Sequence, residues 1–127
     1  MVTIRKARVE DVNTELKMRE EGFGQNPAFE AFIAEENDRA LGVAITYYRY
    51  STWKGRRLFL EDLIVAEESR GKGVGRLLLD FVISHAKNND CSGVMWQVLD
   101  WNKSAIDFYK SYCVSIDSGW LNCHLDF

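Results

Sequence analysis

The chain has 127 residues, 46% of them hydrophobic and 13% aromatic, which is enough for one domain (residues 1–127) with a single core and too apolar for a disordered segment. Its formal net charge is −3, so its surface as a whole does not seek nucleic acid or an anionic membrane. No apolar run approaches a bilayer span and Met-Val-Thr-Ile-Arg-Lys is no signal peptide, so the expectation is a soluble, cytoplasmic protein.

VTIRKA (2–7) alternates and predicts a first strand. Asp11 is placed to cap a short helix running through Leu16 and Met18 and ending at Gly22-Phe23-Gly24. AFEAFIAEE (28–36) reads as a strand with a turn at Asn37-Asp38, and ALGVAITYYRYSTW (40–53) as a long strand rich in β-branched and aromatic residues. Lys54-Gly55 marks a hairpin, and RRLFLEDLIVAEE (56–68) returns. From Val74 the period becomes helical, with Val74, Leu77, Leu78, Phe81, Val82 and His85 on one face. GVMWQVL (93–99) reads as a buried strand. A second helix follows from about Lys103 to Tyr112, with Ala105, Phe108 and Tyr112 inward, and SGWLNCHLDF (118–127) reads as a last strand. The order predicts an α/β (α+β) fold, a mixed, mostly antiparallel central sheet flanked by helices.

Between strand and helix lies Arg70-Gly71-Lys72-Gly73-Val74-Gly75-Arg76. A helix start stripped of side chains and ringed by cations exposes N–H donors at the positive end of the helix dipole, which suits phosphate or pyrophosphate. The P-loop pattern fails because no Gly-Lys-Ser/Thr closes the run. The dinucleotide fingerprint fails because Arg76 stands where its third glycine belongs. Cys91, Cys113 and Cys123 form an odd, irregular set that suits reduced thiols. Cys123-His124 lacks paired ligand spacing, so no metal is expected.

Arg70, Gly73 and Gly75 fit the Arg/Gln-x-x-Gly-x-Gly/Ala loop of the GCN5-related N-acetyltransferase superfamily, which this chain resembles. YSTWKGRRLFLEDLIV (50–65), LDWNKSAIDFYK (99–110) and GFGQNPAFEAFIAE (22–35) resemble its diamine acetyltransferase branch, the spermidine/spermine and thialysine N-acetyltransferases. Two departures stand out: the family's two-helix segment after the first strand is reduced here to residues 13–21, and 111–118 is also short. The resemblance implies the acyl-CoA acyltransferase fold, acetyl-CoA as co-substrate held by Arg70, Gly71, Lys72, Gly73, Val74, Gly75 and Arg76, a small-molecule amine as acceptor, and a homodimer. It also implies that Leu63, Ile64 and Val65 bind the pantetheine arm through backbone groups, and that Asn102, a helix N-cap on its own merits, touches the cofactor.

Acetyl transfer needs an amine, pKa about 10.4, to be bound as a cation and then deprotonated. The resemblance assigns the proton to Glu61, acting through water. Glu61 and Asp62 interrupt an apolar strand, and side chains alternate there, so only one can face the core cheaply. The plainer reading of Glu61 is an ion pair with Lys54, Arg56 or Arg57. Tyr109 matches the tyrosine that bonds the departing sulfur. Protonating a thiolate near pKa 8.5 from a phenol near 10 is uphill by about 2 kcal/mol, so transfer must be concerted with departure or helped by a shifted pKa. Tyr109 beside Phe108 could equally be a core aromatic.

Ser51, Thr52 and Trp53 sit at the hairpin end, where Trp53 offers a π-face to an ammonium group or simply packs on the surface. The spermidine/spermine branch has an aspartate at Ser51, and its loss points to a small primary amine such as thialysine over spermidine. The substrate-binding set is therefore Ser51, Trp53, Glu61 and Asp62. Cys91 and Cys113 lack a His/acid partner at recognisable spacing, which favours direct transfer over an acyl-enzyme. A protein or peptide N-acetyltransferase of the same fold, or a non-catalytic acyl-CoA-sensing module, is the alternative.

Overall fold

In the computed structural model, which describes residues 1–12 and 16–127, the β-branched and aromatic runs become strands and the 3.6-residue period becomes the central helix. Two units result, Met1–Trp96 and Gln97–Phe127. The first carries β1 (Thr3–Lys6), α1 (Leu16–Phe23), β2 (Glu30–Glu36), β3 (Arg39–Ser51), β4 (Gly55–Val65), α2 (Val74–Asn88) and β5 (Val94–Trp96), in a five-stranded sheet ordered β1-β2-β3-β4-β5. The first four strands are antiparallel and β5 joins β4 in parallel, the mixed sheet that the sequence predicts. Asn37 and Asp38, both at positive φ (54° and 62°), make the tight β2–β3 turn.

α2 lies against one sheet face. Leu58, Leu78, Leu79 and Val82 are fully buried there, each contributing about 1.5–3 kcal/mol. On the other face Ala7, Ala31 and Ile33 pack with Phe23, Phe29, Val43 and Ile45.

Several expectations are corrected. Asp11 closes a single 3-10 turn (Val9–Asp11) rather than capping α1: its carboxylate accepts from the Arg8 amide at 2.7 Å and from both terminal nitrogens of Arg5 at 2.9 and 3.0 Å. An arginine fork outcompetes a more distant helix end. The part of that expected helix ahead of Leu16 lies over 13–15, outside the described residues. On α2, Leu77 is 43% exposed and Leu79 is buried in its place, because the helix turns its Val74–Leu78–Val82 row to the sheet. β5 stops at Trp96 rather than Leu99, since its partner β4 departs from regular pairing just past Leu60. The second unit holds α3 (Lys103–Lys110), two residues shorter than predicted and without a fully buried side chain. No strand forms over 118–127, where Trp120, Leu121, Leu125 and Phe127 stand open. Aromatic composition favours a strand only where a neighbouring ladder exists to pack against. No helix among the described residues is long and apolar enough to cross a membrane.

Candidate active site

The β3–β4 register places a discontinuity at Glu61. Ile45 faces Asp62 and the next residue, Thr46, faces Leu60, so Glu61 is the extra residue of a β-bulge. A bulge breaks alternation and re-aims side chains. Here it leaves both Glu61 and Asp62 exposed, which removes the conflict of two adjacent carboxylates in an apolar strand. Glu61 makes none of the ion pairs considered for it: Arg56 instead lies over the Tyr48 ring, 4.0 Å from its centroid. Glu61 lies close enough to Tyr47 for its charge to act on the phenol. Burial first, and then the Glu61 charge, push the Tyr47 phenol above its ordinary range.

β4 pairs with β5 only over Leu58–Leu60. From Glu61 through Leu63, Ile64 and Val65 it is laddered to β3 alone among the described residues, leaving one edge open for an extended ligand. Leu63 and Val65 are half-buried, while Ile64 is 53% exposed on the face away from α2.

The glycine loop continues from this edge. Gly71 (φ 76°) and Gly73 (φ 80°) are left-handed, a conformation that costs other residues about 1–2 kcal/mol. Nothing lies within 4 Å of where a Cβ would sit on either, so the backbone is open on that side. Gly73 caps α2, and the first helical bond runs from the Leu77 amide to the Gly73 carbonyl at 3.0 Å. The amides ahead of it point out of the helix end. Val74 is buried against the sheet, anchoring the helix start, and Gly75 is half-buried behind it. Arg70 uses its Nε to bond the Val65 carbonyl at 3.2 Å, tying loop to strand. Lys72 and Arg76 are exposed. Of the two acids in the turn ahead of the loop, Glu68 is paired with Arg39 at 3.2 Å and Glu67 is exposed. An open backbone cradle with cations around it fits a diphosphate.

The second unit holds the remaining predicted residues. Asn102 caps α3, its side-chain oxygen accepting from the Ala105 amide at 3.2 Å. Tyr109 is half-buried, its ring 5.3 Å from that of Phe108, and burial raises its phenol above 10. This shift runs against easier proton donation: it keeps Tyr109 protonated but widens the gap to a thiolate.

Ser51 turns out to be a turn residue, its hydroxyl accepting from the Trp53 and Lys54 amides at 3.2 and 3.0 Å. Trp53 is 90% exposed and packs on nothing. Ser51 faces Gly55, six residues from Glu61, which is about 20 Å along a strand. A small amine at Glu61 does not reach the hairpin end of the same chain.

The Acetyltransferase (GNAT) family pattern matches residues 3–113. The chain belongs to the GNAT acetyltransferase family. It is 36% identical to mouse (Mus musculus) thialysine N-epsilon-acetyltransferase over 86% of this chain and 71% of the relative. It is 34% identical to human (Homo sapiens) spermidine/spermine N(1)-acetyltransferase-like protein 1 over 79% of this chain, but only 16% of that longer protein. In fold it matches an aminoglycoside acetyltransferase, meta-AAC0020, from an uncultured soil metagenomic sample, with a TM-score of 0.81 at 15% identity over 99% of this chain and 96% of that one. Tyr47 was missed from sequence, as was the pairing of Glu30 with His85, whose Oε1 and Nε2 lie 2.9 Å apart. The only signal for Tyr47 was its place two residues out of step with Glu61 across a hairpin whose register was unknown.

Proposed function

We propose that this GNAT protein moves acetyl from acetyl-CoA directly to the primary amine of a small diamine or thialysine-like acceptor. The observation that carries this reading is continuity: the bulged Glu61, the unpaired edge Leu63–Val65 and the Arg70–Arg76 loop follow one another along 16 residues of chain. The loop amides with Lys72 and Arg76 hold the diphosphate, and the backbone of Leu63, Ile64 and Val65 holds the pantetheine arm. Glu61, exposed and near Tyr47, takes the ammonium proton through water, while Asp62 adds negative charge that attracts the amine.

Tyr109 hydrogen-bonds the departing sulfur. Since burial raises its pKa, it stabilises the thiolate as it forms and does not protonate it in advance. The side-chain amide of Asn102, whose oxygen caps α3, donates to the cofactor. Direct transfer agrees with Cys91 being half-buried and Cys113 exposed, neither paired with a histidine among the described residues. The same proposal makes the protein a cytoplasmic homodimer. Trp120, Leu121, Leu125 and Phe127 offer an apolar surface for a second copy to cover, and Ser51 and Trp53 serve acceptor selection across that dimer.

Release of free thiol from acetyl-CoA, followed over a panel of amines, tests the reading. Turnover with thialysine at a higher kcat/KM than with spermidine is expected. No turnover with any amine, together with retained coenzyme A binding, would replace the enzyme by an acyl-CoA-sensing module.

A further inference from the structure

The β3–β4 hairpin is charged unlike the rest of the chain. Residues 47–57 carry Arg49, Lys54, Arg56 and Arg57 and no acid, a local +4, so the total of −3 leaves −7 elsewhere. The hairpin is also open along one edge. Thr46 faces Glu30, but residues 47–51 have no β2 partner among the described residues.

Two consecutive rungs of this hairpin hold three arginines: Arg49 faces Arg57, and Tyr50 faces Arg56. Successive side chains alternate between the sheet faces. Tyr50 and Arg56 therefore share the face of Tyr48 and Leu58, and Arg49 and Arg57 share the other. On that second face Arg49 lies over the Phe59 ring, 5.7 Å from its centroid, with Nη1 3.6 Å from Met95 Sδ. Arg57 lies across Gly93, its Nη1 2.6 Å from where a Cβ would stand. Gly93 and Met95 are two residues apart in one extended stretch, so the two guanidiniums are neighbours. Like charges set directly opposite each other destabilise a sheet. No acid pairs with Arg49, Lys54, Arg56 or Arg57 among the described residues. Departures of this kind from local rules gather at functional sites.

An anion relieves that repulsion, and the aromatic rings say which anion. Tyr50 is 74% exposed, and the Arg56 guanidinium lies on the ring of Tyr48, 4.0 Å from its centroid. The carboxylates of an acidic peptide make no use of open ring faces. Unpaired bases stack on them while the phosphates meet cations. A duplex keeps its bases stacked on each other and offers such rings nothing.

We infer that the stem of this hairpin binds single-stranded nucleic acid. Arg49 and Arg57 take phosphates on one face, with Lys54 adding charge at the turn. Tyr50 and the Tyr48–Arg56 stack take bases on the other, and the strand crosses between faces over the open β3 edge. The site is separate from the Arg70–Arg76 loop and independent of acetyl transfer.

Fluorescence anisotropy of a labelled dodecauridylate, titrated with the full chain from about 50 to 200 mM salt, tests this, with oligoglutamate of equal length as the rival polyanion. The logarithm of the uridylate affinity should fall against log salt with a slope of about −2, from three cations at about −0.7 each. Arg49→Gln should reduce that slope by about 0.7. Tyr50→Ala should weaken binding about tenfold at unchanged slope, and Tyr50→Phe should keep wild-type affinity. Lys72→Gln combined with Arg76→Gln, in the glycine loop, should bind uridylate as wild type does. No uridylate binding by wild type, tighter binding of oligoglutamate, or a loss confined to the loop variant overturns the inference.

Discussion

Gly73→Ala asks whether the loop's left-handed backbone matters. The native φ is 80° and nothing approaches the new Cβ within 4 Å, so the substitution adds no clash and the whole cost is conformational, about 1 kcal/mol. Where that cost appears depends on the loop. If it keeps its shape, the strain is felt on folding and Tm falls by about 4 °C for a chain of this size. If it relaxes, folding is spared and coenzyme A binding weakens about fivefold. The two losses should sum to at least about 1 kcal/mol, because the methyl also narrows the cradle. Gly71→Ala, at φ 76°, should behave alike. Gly55→Ala is the control: φ is 84° with equally open space, but it lies in the distant hairpin, so it should lower Tm and leave coenzyme A affinity alone. Differential scanning calorimetry and titration with coenzyme A read both quantities. Unchanged stability and unchanged affinity at both Gly71 and Gly73 would refute the reasoning.

Tyr109→Phe should lower kcat at least tenfold with little change in coenzyme A affinity, and because burial raises the phenol, no alkaline fall in wild-type activity due to Tyr109 should appear below pH 10; rates from pH 6 to 10.5 for both proteins check this. Asp11 is held down to about 2, first by Arg5 and then by the Arg8 amide. A depressed acid stabilises the fold above its unfolded value of 3.8 and loses that contribution as pH falls toward 2. Asp11→Asn should therefore cost about 1 kcal/mol at pH 7, by urea unfolding, and almost nothing near pH 2. Leu78→Ala should cost about 2–5 kcal/mol and Leu77→Ala under about 1 kcal/mol in the same assay, since Leu78 is fully buried and Leu77 is 43% exposed.

Much of the fold was readable because its signals are local. The strands of the first unit follow β-branched runs, the Asn37-Asp38 turn follows residues that tolerate positive φ, and α2 follows a helical period. Leu77 was misplaced because a 3.6-residue period leaves neighbours on the rim of an apolar stripe, and only packing decides which of Leu77 and Leu79 turns inward. The ends of β5 and of the chain were misread for a different reason. Strand formation needs a partner, and partners are set by distant residues: β5 stops where β4 bulges, and residues 118–127 find no ladder.

At the site, the loop and its glycines were legible from type and spacing. The bulge had left a trace, two adjacent carboxylates in a strand that should alternate, but its meaning required the β3 register. Glu30 and His85 lie 55 residues apart, and nothing in either local pattern announces the other.

The central claim is that Glu61, lifted from the ladder by the bulge, is the base for an amine attacking acetyl-CoA. Its most direct test is Glu61→Gln, an isosteric change at an exposed position, assayed by thiol release with thialysine alongside calorimetry with coenzyme A. The account predicts a fall in kcat of about a hundredfold or more with coenzyme A affinity unchanged. A variant that turns over within twofold of wild type would contradict it.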